Sequence, residues 1–150
     1  MKRFQFKLQS LLNYKRHLEQ MARQEMAKAV SDVNACRHQI QTLRGDRESA
    51  VLKLDSLVEK GVNAREFNLH RGFISTVDRM IRDEQAKKVR LEKVVEKKRS
   101  MLKKRTIDKK ALERLREKRA EEHTREMLRE EQKELDDMSS LKTAREIANG

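Results

Sequence analysis

The chain is expected to be all-α: two long helices folded into an antiparallel intramolecular coiled-coil hairpin, with the C-terminal helix overshooting. Three observations predict this. First, composition: of 150 residues, 41% are charged, 36% hydrophobic and 3% aromatic. Such a chain cannot fill a thick globular core, but it can supply one apolar stripe per helix. Second, apolar residues recur at spacings of three and four along most of the length, the period of one helix face. That regularity separates the chain from a disordered one of similar charge. Third, there is no proline, and Gly61 and Gly72 bracket the single interruption in the pattern, VNAREFNLHR.

Helix 1 is expected over about residues 3–58. Its seam begins Phe4, Leu8, Leu11, with Lys15 in one slot, then Leu18 and Ala22. The register then shifts through Met26 and Ala29 to Val33, like a four-residue stutter. From Val33 a heptad resumes through Cys36, Ile40, Leu43, Arg47, Ala50, Leu54 and Leu57. Gly45 costs this run about 1 kcal/mol relative to alanine, which the flanking seam outweighs.

The tip is expected over about 59–72. Gly61 suits the position just past a helix C-terminus. Asn63 stands three residues before Glu66, the spacing of a capping box. Helix 2 can therefore start at about residue 64, or only after Gly72 with a separate short turn between. Its seam reads Phe67, His70, Ile74, Val77, Ile81, Glu84, Lys88, Leu91, Val95, Lys98, Leu102 and Arg105. It then weakens through Asp108, Leu112, Leu115, Arg119 and Glu122. The helix is expected to run to about 140, with a frayed tail over 141–150. A turn near residue 62 sets Leu57 opposite Phe67, Leu43 opposite Ile81 and Phe4 opposite about Ala120. Some 15–20 residues of helix 2 then have no partner helix.

Net charge is +12 and uneven. Residues 82–119 hold seventeen bases and seven acids, net +10, whereas 120–137 hold three bases and eight acids, net −5. Different levels of the hairpin thus suit different partners. Mixed charge and scarce aromatics argue against nucleic acid for most of the basic part. Cys36 is alone, which fits a reducing compartment. The longest apolar run, Ala50-Val51-Leu52, suits neither a membrane span nor a secretory signal, so a cytoplasmic protein is expected.

Catalytic chemistry is not expected. No glycine pattern makes a phosphate-cradling loop. His17, His38, His70 and His123 are scattered without zinc-ligand spacing, and Cys36 in a seam slot acts as a small apolar residue. No cofactor, metal or catalytic residue is assigned. A two-helix coil has only one buried seam, however, so apolar residues beside it mark partner sites. Leu69, Phe73 and Met80 near the tip, and Val51 and Leu52 on helix 1, are of this kind.

Three stretches together resemble the flagellar export protein FliJ family, whose injectisome counterparts are similar. They are FQFKLQSLLNYKRHLEQ (Phe4–Gln20), FISTVDRMI (Phe73–Ile81) and KKALERLREKRAEEHTREMLREEQKELDDMS (Lys109–Ser139), the last with the EQKELD core at Glu131–Asp136. The resemblance implies a cytoplasmic component of the flagellar type III export apparatus, similar to the central stalk of rotary ATPases. Its implied partners are the export ATPase hexamer, the cytoplasmic domain of the membrane export gate, and export chaperones. It implies a place at the cytoplasmic face of the inner membrane through that apparatus. Carried onto this chain, gate contact falls on the tip half, at Leu69, Phe73, Val77 and Met80. ATPase or chaperone contact falls on the stem end, at Phe4, Leu8, Leu11, Leu12, Leu112, Leu115, Glu131, Gln132, Leu135 and Asp136. A monomer without nucleic acid is expected. The alternatives are a basic coiled coil that binds nucleic acid or the ribosome, and a homodimerising structural coiled coil.

Overall fold

Gly61 sits at φ +87°, in the left-handed region, and ends the first helix. Helix α1 is Gln9–Lys60 (52 residues) and helix α2 is Ala64–Asn149 (86 residues). The computed structural model describes residues 2–150, and no strand occurs among the described residues. The two helices pack antiparallel as a hairpin.

The break is short because both of its ends are capped. Glycine adopts positive φ without the Cβ clash that other residues suffer. Gly61 N–H donates to the Val58 carbonyl at 3.2 Å. Asn63 Oδ1 then accepts the Glu66 backbone N–H at 2.9 Å, and the Asn63 carbonyl accepts Phe67 N–H at 3.0 Å. Asn63 is thus the N-cap of α2, and the choice left open at the tip is settled: α2 starts at Ala64 and passes through Gly72 without interruption.

Two boundaries differ from expectation. Helix α1 begins at Gln9, not near residue 3. Residues 2–6 lie outside any helix, with Phe4 and Phe6 half-buried and Gln5 exposed between them. The alternation F-Q-F has a period of two, which puts both rings on one side of an extended segment; a helix would point them apart. At the other end α2 continues to Asn149, through the stretch expected to fray. The sequence Leu141–Asn149 holds neither glycine nor proline, so nothing in it interrupts the backbone ladder.

The chain divides into two units, which are described in turn. The first, Gln20–Lys104, contains the tip. On α1, Ala22, Ala29, Val33, Cys36, Ile40 and Leu43 are buried and Met26, Ala50, Leu54 and Leu57 half-buried. On α2, Val77 and Ile81 are buried, and they cluster with Leu43. Leu43 and Ile81 are the pair that the expected turn sets opposite. Cross-helix ion pairs flank the seam: Arg47 with Asp78, Arg37 with Glu92 at 3.6 Å, and Glu25 with Lys98 at 3.1 Å. Each is solvent-exposed and worth about 0–1 kcal/mol.

The second unit joins Met1–Glu19, described from Lys2, with Arg105–Gly150. Here the seam differs from the one read in the sequence. Leu12 is fully buried, Lys15 is half-buried and Glu19 is 6% exposed, whereas Leu8 and Leu11 are exposed. Continued through Ala22, Met26 and Ala29, the inward positions of α1 follow an unbroken three–four alternation, so there is no stutter. The apparent shift arose because Leu11 and Leu18 lie one residue before Leu12 and Glu19, and a leucine looks like a better core residue than Glu19; Lys15 keeps its expected slot and Leu18 is half-buried. The charges are neutralised in place. The two Glu19 carboxylate oxygens lie 3.1 and 3.0 Å from Lys109 Nζ. Lys15 Nζ lies 3.8 Å from Asp108 and Arg16 Nε 3.6 Å from Glu113. On α2 the inward positions move to Ala120, His123 and Met127, while Arg119 and Glu122 are exposed. Phe4 accordingly stacks, tilted, on His123 with ring centroids 5.7 Å apart, three residues beyond the expected Ala120. After Met127 every residue of α2 is exposed.

Candidate functional site

The side chains that can meet a partner are those the seam leaves out, and the residues expected from the sequence are taken here by three faces. The tip face lies on α2. Leu69, Phe73 and Met80 are 67%, 54% and 44% exposed, at spacings of four and seven that keep them on one side of the helix. Val77 does not join them. It is 3% exposed against Leu43 and Ile81, so it is a core residue and not a docking residue. Its position three to four residues from Phe73 and Met80 made it look like part of the patch, but the helix turns it onto the seam.

The stem face lies on α1 and the non-helical residues before it. Leu8, Leu11 and Tyr14 stand exposed, one turn apart. Leu12 points the other way and is fully buried, so it belongs to the core and not to a docking set. Phe4, Phe6 and Leu8 line a groove of about 690 Å³ with Leu115, Arg119, Glu122 and His123. Leu112 and Leu115 are half-buried. The groove therefore gathers Phe4, Leu8 and Leu115 of the expected stem residues. It adds Phe6 and His123, and Tyr14 joins the exposed face beside Leu11. None of these three was singled out from sequence, although the F-Q-F alternation carried the signal for Phe6.

The third face is the C-terminal stretch of α2 beyond Met127. Glu131, Gln132, Leu135 and Asp136 are all exposed, with Leu128, Met138, Leu141 and Ile147. Gln132 Nε2 donates to Asp136 Oδ1 at 3.0 Å, an i,i+4 pair that supports the helix locally. A helix this polar and unpacked gains nothing from tertiary burial. Its apolar side chains are therefore available to another surface.

Cys36 is the only cysteine, and it is buried. Burial pushes its thiol above the ordinary value of 9.0, and Glu84 pushes it further in the same direction. The Sγ–H lies 3.2 Å from the Glu84 carbonyl oxygen and 3.3 Å from its carboxylate, so the thiol is held as a donor. A protonated, enclosed thiol is a poor nucleophile. No group of three or more metal-ligating side chains occurs among the described residues, and no helix among them is long and apolar enough to cross a membrane.

The capped helical hairpin holds charges in its seam and leaves leucines, a tyrosine and a phenylalanine exposed outside it. The chain belongs to the Flagellar FliJ protein family, whose model matches residues 4–147. It is thereby a component of the type III export apparatus. Among solved structures it is similar to that of a YscO homolog from Chlamydia trachomatis, at 16% identity and a TM-score of 0.45, over 93% of this chain and 94% of that one. No curated protein matches.

Proposed function

We propose that this protein is the non-catalytic central stalk of the flagellar type III export apparatus, binding the export ATPase hexamer at its stem end and linking it to the export gate and to export chaperones. The observation that carries this reading is the inversion at the stem. Leu8, Leu11 and Tyr14 stand outside while Glu19 is enclosed. Exposing a leucine pair in place of a buried charge stabilises no isolated hairpin; it suits a surface that is covered in a complex. Phe4, Leu112, Leu115 and the exposed Glu131, Gln132, Leu135 and Asp136 extend the stem-end contact. Leu69, Phe73 and Met80 form the gate contact.

Two helices cannot match six-fold symmetry, so the stalk touches the subunits of a hexamer unequally. Unequal contact gives different subunit states different binding free energies, which is what biases a conformational cycle. The net +10 over 82–119 steers the protein toward an acidic surface at long range. Through this apparatus it resides at the cytoplasmic face of the inner membrane. The test is to titrate the protein into the purified export ATPase and follow turnover at several salt concentrations. Stimulation that weakens with salt and is lost in a Leu8→Ala/Leu11→Ala variant is expected. No stimulation at any salt removes the stalk reading.

A further inference from the structure

One face of α2 in the Gln20–Lys104 unit is neither seam nor tip patch. Lys87, Arg90, Val94, Lys97, Met101 and Lys104 follow one another at steps of three and four, so they form a single stripe. All six are exposed, and Val94 and Met101 are among the exposed large apolar residues of the chain. Among the described residues the four cations of the stripe make no ion pair, whereas neighbouring Lys88 and Lys98 pair with Glu92 and Glu25. Met101, Lys97 and Lys104 line a shallow depression with Glu96 and Ser100. A stripe of cations punctuated by apolar residues at heptad spacing fits an acidic amphipathic helix laid alongside.

The chain itself carries such a helix. Beyond Met127, Leu128 and Leu135 are seven residues apart, as Val94 and Met101 are, and Met138 continues their side of the helix. Five acids (Glu130, Glu131, Glu134, Asp136 and Asp137) against one base (Lys133) surround them over 130–137. Every one of these residues is exposed. Both stretches lie on helix α2.

We propose that two copies of this chain associate by laying the acidic 128–138 segment of one along the basic Lys87–Lys104 stripe of the other. Leucines and Met138 meet Val94 and Met101, and the carboxylates flank the four cations. Each copy carries both surfaces, so two copies can engage reciprocally. The sequence pattern alone points to a monomer; the complementary surfaces appear only when the seam is known.

The experiment is sedimentation equilibrium of the full chain over a concentration series at low and high salt. A monomer–dimer equilibrium at low salt that is lost at high salt is expected, because exposed charge pairs are screened. Lys97→Glu/Lys104→Glu should weaken association by at least about tenfold, and Glu131→Lys/Glu134→Lys should do the same. An equimolar mixture of the two variants should restore it, since the reversed stripe of one then faces the reversed helix of the other. All four residues are exposed and form no ion pair among the described residues, so circular dichroism of both variants should match the parent. A chain that stays monomeric at low salt overturns the proposal. So does association that both reversals leave unchanged, or retention on anionic vesicles without self-association.

Discussion

Leu11 and Leu12 are adjacent, chemically identical and opposite in fate, so replacing each by alanine tests where the seam runs. Leu12 is fully buried, whereas Leu11 is 42% exposed. Truncating Leu12 removes three carbons from a dry contact, about 2.4 kcal/mol at ~0.8 kcal/mol per methylene. The cavity adds to this, and a two-helix seam partly collapses around it, so the total should be about 3 kcal/mol. Truncating Leu11 removes atoms already half in water and gains a little helix propensity, so the loss should stay below about 1 kcal/mol. Urea unfolding followed by far-UV circular dichroism separates the two. With a slope of about 2 kcal/mol per molar, the midpoint should fall by about 1.5 M for Leu12→Ala and by less than about 0.5 M for Leu11→Ala, at unchanged slope. Equal shifts, or a larger one at Leu11, would return the seam to Leu8, Leu11 and Leu18 and refute the buried placement of Glu19.

Four further outcomes follow from the same packing. Lys109→Met removes one counter-charge from the enclosed Glu19 carboxylate and should lower stability by up to about 3 kcal/mol, whereas Glu19→Leu combined with Lys109→Leu should be neutral or stabilising; thermal melts of the single and double variants decide this. Phe73→Ala with Met80→Ala should leave helicity unchanged and weaken capture by the export gate domain, whereas Val77→Ala should lose about 2 kcal/mol of stability; a pair of melts and one pull-down distinguish patch from core. Gly61→Ala should cost about 1 kcal/mol because of its positive φ, and Gly61→Asn less, in the same unfolding assay. Cys36 has a folded pKa raised above its unfolded value, so the folded state holds the proton more tightly. The stability this contributes is complete below the ordinary value of 9.0 and is lost as pH climbs through the higher folded value. Alkaline unfolding midpoints should therefore rise in Cys36→Ala relative to the parent, measured above that pH.

Much of the architecture is legible from residues alone, and the reasons are local. A chain without proline, with three–four apolar spacing on both sides of one glycine-bracketed break, has few options besides a helical hairpin. The cap at Asn63 and the left-handed Gly61 are turn chemistry that depends on neighbours within a few residues. The heptad from Val33 to Leu57 and the Leu43–Ile81 pairing likewise need only periodicity and a turn position.

What the tertiary structure decided is which of two neighbouring stripes faces in. At the stem, Leu11 and Leu12, and Leu18 and Glu19, are adjacent on one helix, and hydropathy alone favours Leu18 over Glu19 for the buried place. The choice depends on Asp108 and Lys109, some ninety residues away, which neutralise Lys15 and Glu19 only once the helices are paired. The same holds at Val77, turned onto Leu43 and Ile81, and at His123, which takes the Phe4 ring. Local sequence sets helix, turn and period, because those energies are summed over near neighbours. The identity of the outward face is a long-range property, because a charge is tolerable inside only where its counter-charge arrives from the other helix.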